Sequence, residues 1–64
     1  MKIIEFAKVI SRDDDFELWV NDEYINKFSY WRPMPEEYND AVVESISAYD
    51  NYDNTVFCIA ATLN

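Results

Sequence analysis

Pro35-Glu36-Glu37-Tyr38-Asn39-Asp40-Ala41-Val42-Val43-Glu44-Ser45-Ile46-Ser47-Ala48-Tyr49 is the stretch on which the fold turns. Tyr38, Ala41, Val42, Ile46 and Tyr49 fall three and four residues apart, the spacing of an apolar stripe along a helix. Pro35 suits a first helical turn, where its missing N–H removes no bond. Glu36 and Glu37 lie where the positive end of a helix dipole favours carboxylates. Asn51 or Asn54 can close the helix in place of glycine. The pattern predicts an amphipathic helix over 35–49.

Upstream, Trp31-Arg32-Pro33-Met34 interrupts a strand pattern, because proline cannot extend a ladder. Residues 23–30 (EYINKFSY) place Tyr24, Phe28 and Tyr30 on one side, and residues 16–20 (FELWV) alternate Phe16, Leu18 and Val20 against Trp19. Both read as strands. Asn21-Asp22 between them is a hairpin turn, and Asp13-Asp14-Asp15 is a turn of residues that bond their own backbone. Residues 2–11 (KIIEFAKVIS) read as a further strand, with Ile4, Phe6 and Ile10 on one face. Downstream, residues 55–63 (TVFCIAATL) are apolar on both faces. They are expected as a central strand, or one covered by a partner.

The expected fold is α+β, a single domain over 1–64 in the order β-β-β-α-β. It is a curved, mainly antiparallel sheet with one helix packed on one face. A right-handed crossover would set the last strand beside the first, in the order 3-2-1-4. The chain has no glycine, so backbone positions with positive φ are expected to fall to Asn or Asp.

With 64 residues, the chain buries only about 60% of the surface its unfolded form exposes. Half of its residues are hydrophobic and 17% are aromatic, which supplies a core, with dimerisation one way to supplement it. Thirteen acidic residues against five basic ones leave a formal charge of -8. Such a field repels nucleic acid and anionic membranes and attracts basic surfaces. The same charge also serves solubility. Cys58 is the single cysteine, so no internal disulfide forms, and a reducing cytoplasm is the expected setting. The opening Met1-Lys2-Ile3-Ile4-Glu5 reaches a charge too early for a secretion signal, and no apolar run reaches the length of a membrane span.

The chain lacks histidine, the commonest general base and transition-metal ligand. Without it, Cys58 has no usual partner for nucleophilic work and reads as packing. The absence of glycine removes phosphate-binding loops and dinucleotide fingerprints. Asp13, Asp14 and Asp15, with Asp22 and Glu23, are oxygen donors without the spacing of a calcium loop. No enzyme activity, cofactor or metal is expected.

On the expected helix, Glu36, Asp40 and Glu44 are four residues apart and share the side opposite the apolar stripe, about 6 Å apart along the axis. No Lys or Arg follows at i+4 to relieve their repulsion. Glu37 adds to the first turn, Asp50 and Asp53 continue the field past the helix end, and Asp13–Asp15 form a second lobe. The functional reading is a carboxylate display that occupies a basic groove built for nucleic acid. The ordinary alternative is a solvent-facing helix side.

In size, charge and economy the chain resembles the small acidic phage-encoded inhibitors, such as anti-CRISPR proteins and antirestriction DNA mimics. The residues that carry this resemblance are Glu36, Glu37, Asp40 and Glu44, the Asp13-Asp14-Asp15 turn, and the absence of His and Gly. It implies a cytoplasmic inhibitor in a bacterial host that binds a basic surface of a nucleic-acid-binding complex, without contacting nucleic acid or membrane directly. The chain departs from the most acidic mimics in carrying Lys2, Lys8, Lys27, Arg12 and Arg32. A rival reading is a regulatory or adaptor protein that docks through an aromatic patch around Trp31, with Tyr30, Arg32, Met34 and Trp19 beside it. Trp, Tyr and Arg dominate binding hot spots.

Overall fold

The computed structural model describes residues 1–64. Its elements are a short helix α1 (Ile3–Ala7), strands β1 (Asp15–Val20) and β2 (Glu23–Ser29), a 3-10 turn at Glu36–Tyr38, and strands β3 (Val42–Asn51) and β4 (Asn54–Thr62). The four strands form one mixed sheet in the order β2-β1-β4-β3. β1 and β2 are antiparallel, β3 and β4 are antiparallel, and β1 and β4 are parallel.

The expected strands over 16–20 and 23–30 are present as β1 and β2. Asn21 and Asp22 join them with φ of 53° and 67°, the pair of positive angles that a type I′ hairpin turn requires. Asn21 also secures the chain's end: its side-chain amide donates to the Leu63 carbonyl at 2.9 Å and its oxygen accepts from the Leu63 N–H at 3.1 Å. β4 is central, as its two apolar faces require.

The helix and the first strand are exchanged relative to expectation. No helix forms over 35–49. The chain makes one 3-10 turn at Glu36–Tyr38 and then extends as β3 for ten residues. Val42, Val43 and Ile46 are β-branched and favour extended backbone. β4 sits with β1 on one edge and needs a neighbour on the other, which β3 supplies. Residues 2–11 are not a strand. Ile3, Phe6, Ala7 and Ile10 fall at helical spacing, and Ile3–Ala7 coil into α1 across one sheet face. The order is therefore α-β-β-β-β. The last strand lies beside β1 rather than beside residues 2–11, one of the three pairings is parallel, and the sheet is not strongly curled.

The core lies between α1 and the sheet face formed by Phe16, Leu18 and Val20 of β1, Phe28 of β2, and Phe57, Ile59 and Ala61 of β4. Ile3 is fully buried at its centre. Phe6 meets Phe16 and Phe57 edge-on at 5.9 and 5.3 Å between ring centroids, a favoured aromatic geometry. The Ile3 N–H donates to the Ala41 carbonyl at 2.8 Å and the Val43 N–H to the Met1 carbonyl at 2.8 Å, so the N-terminal segment is tied to the start of β3. The opposite face carries Trp19, packed edge-on against Tyr24 at 5.0 Å. No helix is long and apolar enough to cross a membrane.

Candidate functional site

The loss of the long helix disperses the carboxylates expected to share its face. Glu36 and Glu37 are exposed in the 3-10 turn. Asp40, in the turn before β3, is ion-paired with Lys2 at 3.2 Å. Glu44 lies on the edge strand at a register irregularity and accepts a hydrogen bond from the Thr62 hydroxyl. These side chains do not form the spaced row that a helix would have made.

A different set of aspartates converges. β1 and β4 start together because they run parallel, with Asp15 opposite Val56. The β3–β4 hairpin turns at Tyr52-Asp53, between the paired Asn51 and Asn54. This brings Asp50 and Asp53 from the hairpin to Asp14, and the three line an open cleft with Tyr52, Asn54 and Thr55. Asp14 Oδ1 accepts the Thr55 N–H at 3.1 Å, and Asp15 Oδ2 accepts from the Asn54 side chain at 3.1 Å. These two carboxylates lock the strand starts together. Asp13 is exposed in the preceding turn. The Asp50 and Asp53 side chains make no hydrogen bond or ion pair within the chain, and Tyr52 between them is fully exposed with φ of 51°. Of thirteen acidic side chains, only Asp40 is ion-paired. No cluster of His, Cys, Asp and Glu is arranged to hold a metal ion.

The second feature is a cleft of about 230 Å³ between α1 and the loop after β2. It is lined by Ile4, Ala7, Lys8, Ile10, Phe16, Ser29, Tyr30, Pro33 and Met34, with no carboxylate among them. The Arg12 guanidinium stacks over the Tyr30 ring, 4.8 Å from its centroid, a cation–π contact. Arg32 exchanges backbone hydrogen bonds with Ser29. Trp31 is 74% exposed and meets Tyr30 edge-on at 4.8 Å. The sequence pointed to Tyr30, Trp31, Arg32 and Met34, but not to the cleft, because Ile4, Ala7, Lys8 and Ile10 of its wall come from α1 and the residues just after it. The helical spacing of Ile3, Phe6, Ala7 and Ile10 was the available signal.

On the open sheet face, Lys27, Glu17, Cys58 and Ser47 stand in one row across the four strands. Burial raises the Cys58 thiol's pKa, and the Glu17 carboxylate raises it further by its charge and by accepting the thiol's hydrogen bond, against a smaller opposing bond to Ser47. A thiol held protonated is a poor nucleophile. Compared with protein-family models, curated proteins and solved structures, the chain matches none.

Proposed function

We propose that this protein is a non-enzymatic acidic inhibitor that binds a basic, nucleic-acid-binding surface on a bacterial defence or other nucleic-acid-processing complex. The observation that carries the reading is the unneutralised charge. The chain has a formal charge of -8, one ion pair, and a hairpin tip where Asp50 and Asp53 meet Asp14 with no cation beside them. Fixed carboxylates of this kind mimic phosphates to a basic groove, and their field speeds association. Partner binding is thus centred on Asp14, Asp50 and Asp53, with Asp13, Asp15, Glu36, Glu37 and Glu44 contributing to the surrounding field.

The test is a tagged pull-down from bacterial lysate with Asp50→Lys/Asp53→Lys as the control chain. Support would be a nucleic-acid-binding protein that is captured at low salt, displaced by duplex DNA, and lost with the double variant while circular dichroism is unchanged. A partner that binds DNA and this chain simultaneously, or ignores the double variant, rules the reading out.

A second reading is a regulatory or adaptor protein that docks on a protein partner through Trp31. The exposed Trp31 on Tyr30, with Arg12 stacked on the same ring, has the composition of a binding hot spot. Here Trp31→Ala weakens binding by about 2 kcal/mol or more, and salt has little effect.

A further inference from the structure

Two features of this chain remain without an intramolecular role, and they are complementary. One is Tyr52, fully exposed at the hairpin tip and flanked by Asp50 and Asp53. The other is the cleft beside α1, apolar within and cationic at its rim. We propose that the cleft of one copy receives Tyr52 of a second copy, with Asp50 and Asp53 meeting Lys8 and Arg12.

Size supports a side chain as the occupant. About 230 Å³ lies below the roughly 300–1,000 Å³ of small-molecule pockets, but suffices for one aromatic ring. Polarity fits as well. A buried tyrosine needs a partner for its hydroxyl, and Ser29 lines the cleft. Ser29 Oγ already accepts the N–H groups of Trp31 and Arg32, each at 3.2 Å, which leaves its own O–H free to donate to the phenol oxygen.

Charge selects the partner. In a chain with thirteen carboxylates, none lines this cleft. Lys8 does, and Arg12 is held over Tyr30, whose ring is part of the wall. The tip is the converse: an aromatic ring among aspartates. The two copies repel through their net charge, but at physiological salt that repulsion is screened beyond about 8 Å, while contacts at the rim are not. The tip and the cleft both lie at the end of the sheet where β1 and β4 begin, since Asp14 borders one and Phe16 the other. A reciprocal exchange about a two-fold axis therefore closes as a dimer rather than a filament. The dimer would engage the same Asp50 and Asp53 that the partner reading uses, but its test needs only the purified chain, so its failure is distinguishable from failure of that reading.

Sedimentation equilibrium of the full chain at physiological salt, from micromolar to millimolar concentration, tests it. A monomer–dimer equilibrium is expected. Tyr52→Ser and Lys8→Glu should each weaken it by about tenfold or more, and Asp53→Lys combined with Lys8→Glu should restore it, an outcome that general destabilisation does not produce. The proposal is overturned by a chain that stays monomeric throughout, by a dimer that either single variant leaves intact, or by failure of the charge exchange to restore it.

Discussion

Glu17 stands directly opposite Cys58 across the parallel β1–β4 pair, with Cys58 Sγ donating to Glu17 Oε2 at 3.7 Å. Burial and this carboxylate together keep the thiol protonated. Removing the charge in Glu17→Gln leaves burial alone to raise the pKa, opposed by the hydrogen bond to Ser47. Alkylation of Cys58 by iodoacetamide at mildly alkaline pH should then speed up, since a lower pKa raises the thiolate fraction. The linkage has a definite sign. The folded chain holds this proton more tightly than the unfolded chain, so the stability it contributes is present at neutral pH and lost as pH rises through the alkaline range. Cys58→Ala should show a smaller loss in urea titrations across that range.

The aspartates at the hairpin end divide into two mechanical classes. Asp14 and Asp15 accept hydrogen bonds from Thr55 and Asn54 and join the starts of two parallel strands. Asp14→Ala or Asp15→Ala should each cost about 1–2 kcal/mol in urea denaturation, as expected for part-buried bonds to a charged acceptor. Asp50→Asn and Asp53→Asn remove carboxylates without intramolecular partners, so they should leave stability unchanged or raise it slightly by relieving repulsion. Equal losses at all four positions would mean that the Asp50 and Asp53 carboxylates also hold the hairpin end together.

How much of this was legible in the sequence depends on how far apart the decisive residues lie. Phe16, Leu18 and Val20 alternate cleanly, and Asn21-Asp22 supplies both positive φ angles, so β1, β2 and their turn follow from local pattern. The central position of β4 follows from its two apolar faces. Residues 2–11 and 35–49 each carry two periods. Ile3, Phe6, Ala7 and Ile10 fit a helix, while Ser45, Ser47 and Tyr49 alternate with Ile46 and Ala48 as in a strand. Local spacing does not choose between them. The free edge of β4 does, and that is a tertiary demand. The carboxylates group differently from the expected helical row for the same reason. Asp14 meets Asp50 and Asp53 only because β1 and β4 pair in parallel, a contact about forty residues apart that no spacing encodes.

Tyr52 stores strain at the tip. In a chain without glycine, two of the three positive φ angles fall on Asn21 and Asp22, which tolerate them, and the third falls on an aromatic residue. The left-handed conformation costs about 1–2 kcal/mol for an ordinary side chain. Tyr52→Asn should therefore raise stability by about 0.5–1 kcal/mol, and Tyr52→Val, which is β-branched, should lower it. Thermal melts at concentrations below the monomer–dimer transition measure both.

Ile3 decides whether α1 is present at all. Five residues cannot sustain a helix in water by themselves, so α1 exists because Ile3 and Phe6 pack onto the sheet. Ile3 is fully buried in the centre of the core, and its N–H is held by Ala41. Ile3→Ala should cost about 2–5 kcal/mol, against a total stability of about 3–10 kcal/mol for a domain of this size. The variant should melt far below the parent or be partly unfolded at room temperature. Val9→Ala, at an exposed position just beyond the helix, should change stability by no more than about 0.5 kcal/mol. If the two variants melt alike by circular dichroism, α1 is not docked through Ile3. The cleft it walls would then have to be assigned to the loop after β2 alone.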